Sequence, residues 1–340
     1  YTYIIDDGVY FDTSKFKKYG ELTGMTFEEL NKYLKAGARV ERAAGLRNIT
    51  DFAVWRFAKE DEKEMVWDSE WGRGFPGWHI ECSAMSMKYL GEHFDIHCGG
   101  VDHIPIHHTN EIAQSEAATG KKFVNYWFHV EFLTVNNMKM AKSLGNIYTV
   151  QDLIDKGYSP LALRYFLISS HYRSPQNFTF EALDNAKNTL ESVYAFLRNL
   201  KSVQKEGGID KETITELQRF QRAFFDEMNN DLNTPGALRN MHALIGYENK
   251  RLSEGKVTKD EAKKAIEIML DFDTILGLDF QKELEEKSMP DEVAKMLEER
   301  EKARKEKNFE KADAIRKEIE EKYGIVIEDT KEGVKWHYKA

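Results

Sequence analysis

A strand that runs into paired glycines is predicted from Phe94-Asp95-Ile96-His97-Cys98-Gly99-Gly100-Val101-Asp102. A helix precedes it, from Trp78 to about Leu90, and a second helix follows it, from about Ile106 to Thr119. A further strand is predicted from Asn125 to Val135. Alternation of this kind predicts an α/β unit with a parallel sheet. Ligands of such sheets bind at the carboxyl ends of the strands, which here means the region around Gly99 and Gly100.

Short aromatic-rich strands and one helix, from Thr26 to Ala36 with Thr26 as its N-cap, are predicted in the residues before this unit. This segment, residues 1–75, is interpreted as an irregular insertion. The chain opens on what looks like the middle of a β-hairpin, with no initiator methionine, and we expect residues to precede it.

Helices dominate the chain after the α/β unit. Thr149 is a predicted N-cap, and Ser159 with Pro160 opens another helix. Periodic apolar residues from Thr179 to about Leu278 predict a helix bundle. Two charged helices and a hairpin around Asp329-Thr330-Lys331-Glu332-Gly333 predict a small α/β module at the end. The predicted domains are therefore 1–75, 76–178, 179–288 and 289–340.

Composition limits the class of protein. The 340 residues exceed one average domain, and 41% hydrophobic with 31% charged residues is typical of a soluble globular protein. Without a signal-like start or an apolar run of about 18 residues, we expect a cytoplasmic protein that does not span a membrane. The two cysteines, Cys82 and Cys98, exclude a disulfide framework. A net charge of −9 gives no general basic signature, so contacts with RNA would need local patches.

A metal site is one interpretation of Cys82, His107 and Glu111. His107 and Glu111 are four residues apart on a predicted helix, so both point from one face, and Cys82 offers a thiol from the preceding helix. Zinc takes nitrogen, sulfur and carboxylate oxygen ligands, and three such donors form an incomplete structural site. The alternative is a solvated polar pair beside a buried thiol.

A lysine-rich loop, Lys139-Met140-Ala141-Lys142-Ser143, follows a predicted strand and an Asn136-Asn137 turn. Two mobile ammonium groups can bind phosphates and stabilise the charge that develops there. An ordinary solvated turn is the alternative interpretation.

A small-molecule pocket is the third possibility. Gly99 and Gly100 allow a ligand to approach the backbone, and Asp102 can accept a hydrogen bond from a ribose or an amine. Trp78 can form a pocket wall, although a tight turn and core packing explain the same residues. Cys98 is interpreted as a packing residue.

These motifs together resemble the cysteinyl-tRNA synthetase family in order and spacing. The resemblance rests on Pro76 to Met85, His97 to Asp102, His107 to Gln114 and Lys139 to Ser143, and extends to Arg47 to Trp55, Met228 to Pro235 and Gly324 to Thr330. It covers nearly all of the chain. The fold it implies is the second half of a Rossmann-like class I synthetase catalytic domain, with a connective insertion at 1–75, then a helix bundle and a C-terminal anticodon-binding module.

The resemblance implies zinc ligands at Cys82, His107 and Glu111, with a fourth ligand, a cysteine, in an N-terminal part outside this sequence. It also implies catalytic roles for Lys142 and Lys139, with Lys142 binding ATP, and contacts of Trp78 and Asp102 with the substrate. The implied reaction is ATP-dependent activation of cysteine to cysteinyl-adenylate, followed by transfer to tRNA(Cys). Zinc would bind the substrate thiolate, ATP would act with Mg²⁺, and a monomer is expected.

Two departures from the family pattern stand out. Ala141 replaces the serine usual in the lysine loop, and the family's His-Ile-Gly-His motif is absent from the sequence. We therefore expect this chain alone not to catalyse adenylation. Two rival functions stay open, a ligase that joins cysteine to an amino-sugar and a non-catalytic tRNA-binding paralogue.

Overall fold

The computed structural model describes residues 1–37, 44–285, 290–330 and 333–338. These residues form two compact units, the first of 1–134 with 172–176 and the second of 135–171 with 177–340. The predicted boundary at 288–289 and the hairpin turn at Lys331 and Glu332 lie outside the described residues.

The first unit contains two sheets. Its strands are β1 (Thr2–Ile5), β2 (Gly8–Phe11), β3 (Phe52–Phe57), β4 (Gly74–Pro76), β5 (Phe94–Gly100) and β6 (Val124–Val130). Its helices are α1 (Phe27–Gly37), α2 (Trp78–Leu90) and α3 (Thr109–Thr119). Strands β1 to β4 pair in chain order as an antiparallel sheet, so the segment before the α/β unit is more regular than the predicted irregular insertion.

The predicted parallel sheet is confirmed as the pair β5–β6. Phe94 pairs with Val124 and Gly100 with Val130, and α3 forms the crossover between the two strands. Side chains of β2, β3, α1 and α3 share one core cluster, which includes Phe11, Leu30, Phe52 and Ala113. The predicted strand from Asn125 to Val135 is wrong in one respect, since it is divided into β6 and β7 (Leu133–Val135).

The second unit is largely helical. Its helices are α4 (Val150–Asp155), α5 (Pro160–Ile168), α6 (Phe180–Lys201), α7 (Lys211–Asn229), α8 (Thr234–Ser253), α9 (Lys259–Leu276), α10 (Phe280–Glu283), α11 (Asp291–Lys305) and α12 (Phe309–Tyr323). Its further strands are β8 (Met138–Lys139), β9 (Gln176–Phe178), β10 (Ile325–Thr330) and β11 (Gly333–Tyr338). Strands β8, β7 and β9 form a three-stranded sheet.

The predicted helix starts are confirmed where a side chain caps the backbone. Thr149 accepts a hydrogen bond from the Asp152 amide while the Asp152 carboxylate accepts one from the Thr149 amide, which is a capping box. Ser159 caps α5 ahead of Pro160. Thr26 accepts from the Glu29 amide at 3.2 Å.

A small apolar core holds the last two helices against the β10–β11 hairpin. Val293, Ile315, Ile319, Ile325 and Ile327 are buried together. Trp336 packs against this cluster, so its indole contributes to the hairpin core.

Two helices of the first unit are joined by buried side-chain hydrogen bonds. The Gln114 amide on α3 donates to the Ser83 hydroxyl at 2.6 Å and to the His79 carbonyl on α2 at 2.5 Å. The Ser115 hydroxyl also donates to that of Ser83, at 2.9 Å. These bonds fix the helix that carries Cys82 against the helix that carries Glu111.

The buried carboxyl group of Glu248, in the helix bundle, forms no ion pair with a described residue. Glu248 on α8 and Glu261 on α9 are 0% and 1% exposed. The Arg251 guanidinium is used by Glu261, at 2.5 and 2.9 Å, and by Asp210, at 3.2 Å. Burial and the nearby Glu261 carboxylate raise the pKa of Glu248 to about 8, so Glu248 is largely protonated at neutral pH.

We expect the variant Gln114→Ala to lose about 1–3 kcal/mol in free energy of unfolding, because it removes two of the three hydrogen bonds between α2 and α3. Asn125→Ala is the control, since its amide bonds to Asp95 at an exposed position. Its loss should be about 0.5 kcal/mol or less. Urea denaturation followed by tryptophan fluorescence measures both, and equal losses would contradict the role given to Gln114.

The contribution of Glu248 to the free energy of unfolding should fall as the pH rises from about 5 to about 8. With a pKa near 8 in the folded state, Glu248 keeps a proton that the unfolded chain releases near its ordinary pKa. Glu248→Gln cannot ionise, so its free energy of unfolding, measured by urea denaturation, should rise relative to that of the wild type over this pH range. Glu267→Gln, at an exposed position on α9, should keep the wild-type slope. A wild-type slope in Glu248→Gln would show that Glu248 is not the titrating group.

Candidate functional site

Three donor groups of the first unit converge. The Cys82 Sγ atom, one imidazole nitrogen of His107 and one carboxylate oxygen of Glu111 all lie within 4.8 Å of one another. Cys82 is half-buried in the second turn of α2, and His107 and Glu111 are buried. The structure thus brings together the three ligands predicted from the sequence.

The two oxygens of the Glu111 carboxylate have different surroundings. Its Oε2 atom lies 2.9 Å from His97 Nε2, at hydrogen-bond distance. Its Oε1 atom is buried, has no hydrogen-bond partner among the described residues, and lies 3.7 Å from His107 Nε2. A buried carboxylate oxygen left without a donor is costly, and a cation beside it removes that cost.

The chemistry of this donor set fits zinc. Sulfur, imidazole nitrogen and carboxylate oxygen are its usual ligands. Burial, together with the Glu111 and Glu81 carboxylates, raises the pKa of the Cys82 thiol. The raised pKa indicates that, among the described residues, no positive charge near the thiol offsets these two carboxylates. A bound divalent cation would reverse that effect on the thiol.

His107 does not lie on a regular α-helix as predicted. Residues Ile104–His108 form a π-helical turn, and α3 begins at Thr109. Such turns occur frequently at functional sites because they change the direction of a side chain. The His107 ring also lies beside His79, with 2.9 Å between their Nδ1 atoms. If His107 Nδ1 carries the shared proton, its Nε2 lone pair is left free on the side of Glu111.

His97 and His108 were not predicted as site residues from the sequence. His97, His108 and Glu111 form a second group of donors within 4.8 Å, and it shares Glu111 with the first. Glu111 Oε2 is already engaged by His97, and this second group has no sulfur, so the Cys82 group fits zinc better. His97 belongs to the motif that ends β5, but its partner Glu111 lies on α3, and the spacing between the two residues does not predict their contact.

Three histidines at this site, His79, His107 and His108, are held neutral by burial. Burial lowers the pKa of His79 to about 4, and burial also lowers the pKa values of His107 and His108. His108 Nδ1 lies 2.9 Å from His129 Nε2, which occupies its second nitrogen. Neutral imidazole is the form that binds metals.

Trp78 and the glycines border the same cluster. Trp78 is 65% exposed, and its ring centroid lies 4.9 Å from that of His107. A Cβ atom on Gly99 would lie 2.5 Å from the His108 ring, so only glycine allows the end of β5 to approach the histidines. Asp102 is exposed, and its carboxylate lies against Gly100.

The lysine loop belongs to the second unit. Lys139 ends β8, and Lys142 begins a 3-10 turn, Lys142–Leu144. Both side chains are exposed, and neither forms an ion pair with a described residue. Two free ammonium groups are therefore available to an anionic ligand.

No helix in the described part of the chain is both long and apolar enough to cross a membrane.

Relatives of known name match almost the whole chain. The cysteine–tRNA ligase of Carboxydothermus hydrogenoformans is 43% identical over 339 residues, which is 99% of this chain and 71% of that protein. The cysteine–tRNA ligase of Thermococcus onnurineus is 42% identical over 347 residues, again 99% of this chain and 71% of the relative.

Solved structures show the same fold at low sequence identity. Methionyl-tRNA synthetase of Mycobacterium tuberculosis, in complex with methionyl-adenylate, is 15% identical with a TM-score of 0.58, over 82% of this chain and 62% of that one. The LeuRS of Agrobacterium radiobacter K84, in a ternary complex with tRNA and LeuAMS, is 14% identical with a TM-score of 0.50, over 67% of this chain and 35% of that one.

Three family models cover the chain in order. The tRNA synthetases class I (C) catalytic domain matches residues 1–188, the DALR domain 223–281, and the cysteinyl-tRNA ligase anticodon binding domain 286–336. The predicted fold class, an α/β class I catalytic domain followed by a helical region, is confirmed. From the catalytic-domain match and the identity to its relatives, the chain belongs to the cysteinyl-tRNA synthetase family of class I aminoacyl-tRNA synthetases.

Proposed function

We propose that this protein is a cysteine–tRNA ligase, which uses ATP to activate cysteine and transfers the product to tRNA(Cys). In the first step the cysteine carboxylate attacks the α-phosphorus of ATP, forming cysteinyl-adenylate and releasing pyrophosphate. In the second step the terminal ribose of the tRNA attacks the activated carbonyl and releases AMP. Family membership and the name shared by its relatives support this proposal.

The observation that carries the proposal is the convergence of Cys82, His107 and Glu111, with the buried Glu111 Oε1 atom left without a donor. We propose that these three residues hold zinc. Zinc bound there would supply a position that takes a cysteine thiolate and that a serine hydroxyl fills poorly. Rejection of an analogue that lacks the required interaction reaches about 10⁴ or more, which is enough to make editing unnecessary.

The substrate pocket is proposed to lie beside this cluster. Trp78 presents an exposed indole next to His107, which suits it to cover the side chain of a small amino acid. Asp102 is exposed at the end of β5, where its carboxylate can accept from an amine or a ribose hydroxyl. The glycines at this strand end let the His108 ring and the Asp102 carboxylate approach the backbone closely.

The lysine loop is proposed to bind the triphosphate of ATP with its Mg²⁺. Lys142 is the first candidate for contact with the phosphates, and Lys139 assists. Both ammonium groups are exposed and without a carboxylate partner among the described residues, so they can neutralise charge that develops as pyrophosphate leaves.

The proposed division of labour follows the predicted domains. Residues 1–75 form the connective insertion and 76–178 the catalytic part, which contains the metal cluster and the lysine loop. Residues 179–288 bind the tRNA stem and anticodon, and 289–340 bind the anticodon. We propose that the protein acts as a monomer.

Zinc content tests the ligand assignment without any assay of activity. Cys82→Ala should lose most of the stoichiometric zinc that metal analysis finds in the wild type, because a thiolate ligand is removed. Cys98→Ala is the matched control, since Cys98 is exposed and belongs to neither donor group. Unchanged zinc in Cys82→Ala would refute the assignment.

Two assays on the intact gene product test the function. We expect cysteine-dependent exchange between ATP and pyrophosphate, charging of tRNA(Cys) with cysteine, and no charging with serine. Exchange without charging of tRNA would favour a ligase that joins cysteine to an amino-sugar. Binding of tRNA with neither activity would favour a non-catalytic paralogue.

A further inference from the structure

Asn146 follows the lysine loop three residues after Ser143, and it is buried while its neighbours are exposed. Asn146 is 7% exposed, whereas Gly145 and Ile147 on either side of it are exposed. A buried amide in an exposed loop needs hydrogen-bond partners, and these partners show what the residue does.

Both ends of the Asn146 amide contact the backbone of the loop. Its Oδ1 atom accepts from the Ala141 amide at 2.9 Å, and its Nδ2 atom donates to the Lys139 carbonyl at 3.1 Å. The side chain thus closes a ring of chain between residues 139 and 146. A donor and an acceptor are both required, and asparagine supplies them from one planar group.

The rest of the loop is held by its own backbone. The Leu144 amide donates to the Ala141 carbonyl at 3.0 Å, and the Gly145 amide donates to the Lys142 carbonyl at 3.1 Å. Gly145 has a φ of 63°, the left-handed conformation that turns the chain back and brings Asn146 beneath the loop. Asn146 joins this turn to the end of β8.

The contacts of Asn146 are to backbone at or next to both lysines, and they do not involve the lysine side chains. One contact is to the backbone of Lys139 itself, and the other is to Ala141, which directly precedes Lys142. Both ammonium groups are exposed at the ends of flexible stems, so the position of the backbone limits where they can reach. Because both contacts are to the backbone, they do not depend on which side chain stands at position 141.

We propose that Asn146 is a positioning residue, whose amide holds the backbone of the lysine loop so that Lys139 and Lys142 are presented together to the phosphates of ATP. This inference rests on the proposed function of the loop. In this role Asn146 contacts the backbone of the loop, and neither ATP nor the reacting atoms. Asn146 contributes by keeping the loop ordered before ATP binds. A disordered loop would have to become ordered in each turnover, at a cost in entropy.

Three variants of the intact gene product separate the contributions of the amide. Asn146→Ala removes both hydrogen bonds, and Asn146→Asp keeps the acceptor but loses the donor to the Lys139 carbonyl. Ile147→Ala is the control, since its side chain is exposed and next in sequence. Melting temperatures of all three identify any variant that fails to fold.

Trypsin reports the order of the loop directly, because it cleaves after exposed lysines. We expect cleavage after Lys139 and Lys142, followed by mass spectrometry, to be about tenfold faster or more in Asn146→Ala, as local opening becomes easier. Asn146→Asp should be intermediate, and Ile147→Ala should match the wild type.

Exchange kinetics test whether this order matters for ATP. In Asn146→Ala the KM for ATP should rise and kcat should fall, together about tenfold or more in kcat/KM, with the KM for cysteine within about twofold of the wild type. A merely structural defect would change both KM values. In a Lys142→Ala background the same substitution should have a much smaller effect, because the group it positions is gone.

The outcomes are distinguishable. If the wild type shows no cysteine-dependent exchange, the proposed function fails and this inference fails with it. Suppose that the wild type is active but Asn146→Ala keeps the wild-type kcat and KM for ATP, or raises the KM for cysteine as much as the KM for ATP. The proposed function then stands and the positioning role of Asn146 is overturned.

Discussion

The buried carboxylate of Glu111 is the constraint around which the first unit is organised. A carboxylate that is 0% exposed must be surrounded by donors or by a cation, because an isolated charge in the interior is too costly. His97, on the strand β5, is the partner of Oε2, and Oε1 lies 3.7 Å from His107 Nε2 in the cluster that also contains Cys82. Strand, π-helical turn and helix are therefore tied to a single side chain.

The helix that carries Cys82 is held in place by separate contacts. Gln114 and Ser115, one turn beyond Glu111 on α3, bond to Ser83 on α2. Cys82 is thus placed by its neighbour in sequence and not by bonds of its own thiol. This arrangement preforms the donor set and leaves the ligand atoms free, which is what a metal site with an exchangeable position requires.

The lysine loop follows the same principle in the second unit. Its two lysine side chains are exposed and unpaired among the described residues, while a buried neighbour, Asn146, forms two hydrogen bonds to the backbone. In both places the groups proposed to meet a ligand are left without partners, and the adjacent residues carry the bonds. Unpaired groups on a fixed backbone have less entropy to lose when a ligand binds.

The sequence by itself determined the features that depend on near neighbours. The caps at Thr26, Thr149 and Ser159, the alternation of helix and strand, and the identity of three converging donors follow from local propensity and from motif order. Tertiary structure alone decided the rest. The partnership of His97 with Glu111, the π-helical turn under His107 and the burial of Asn146 depend on which atoms meet once the chain has packed, and spacing along a sequence does not encode those distances.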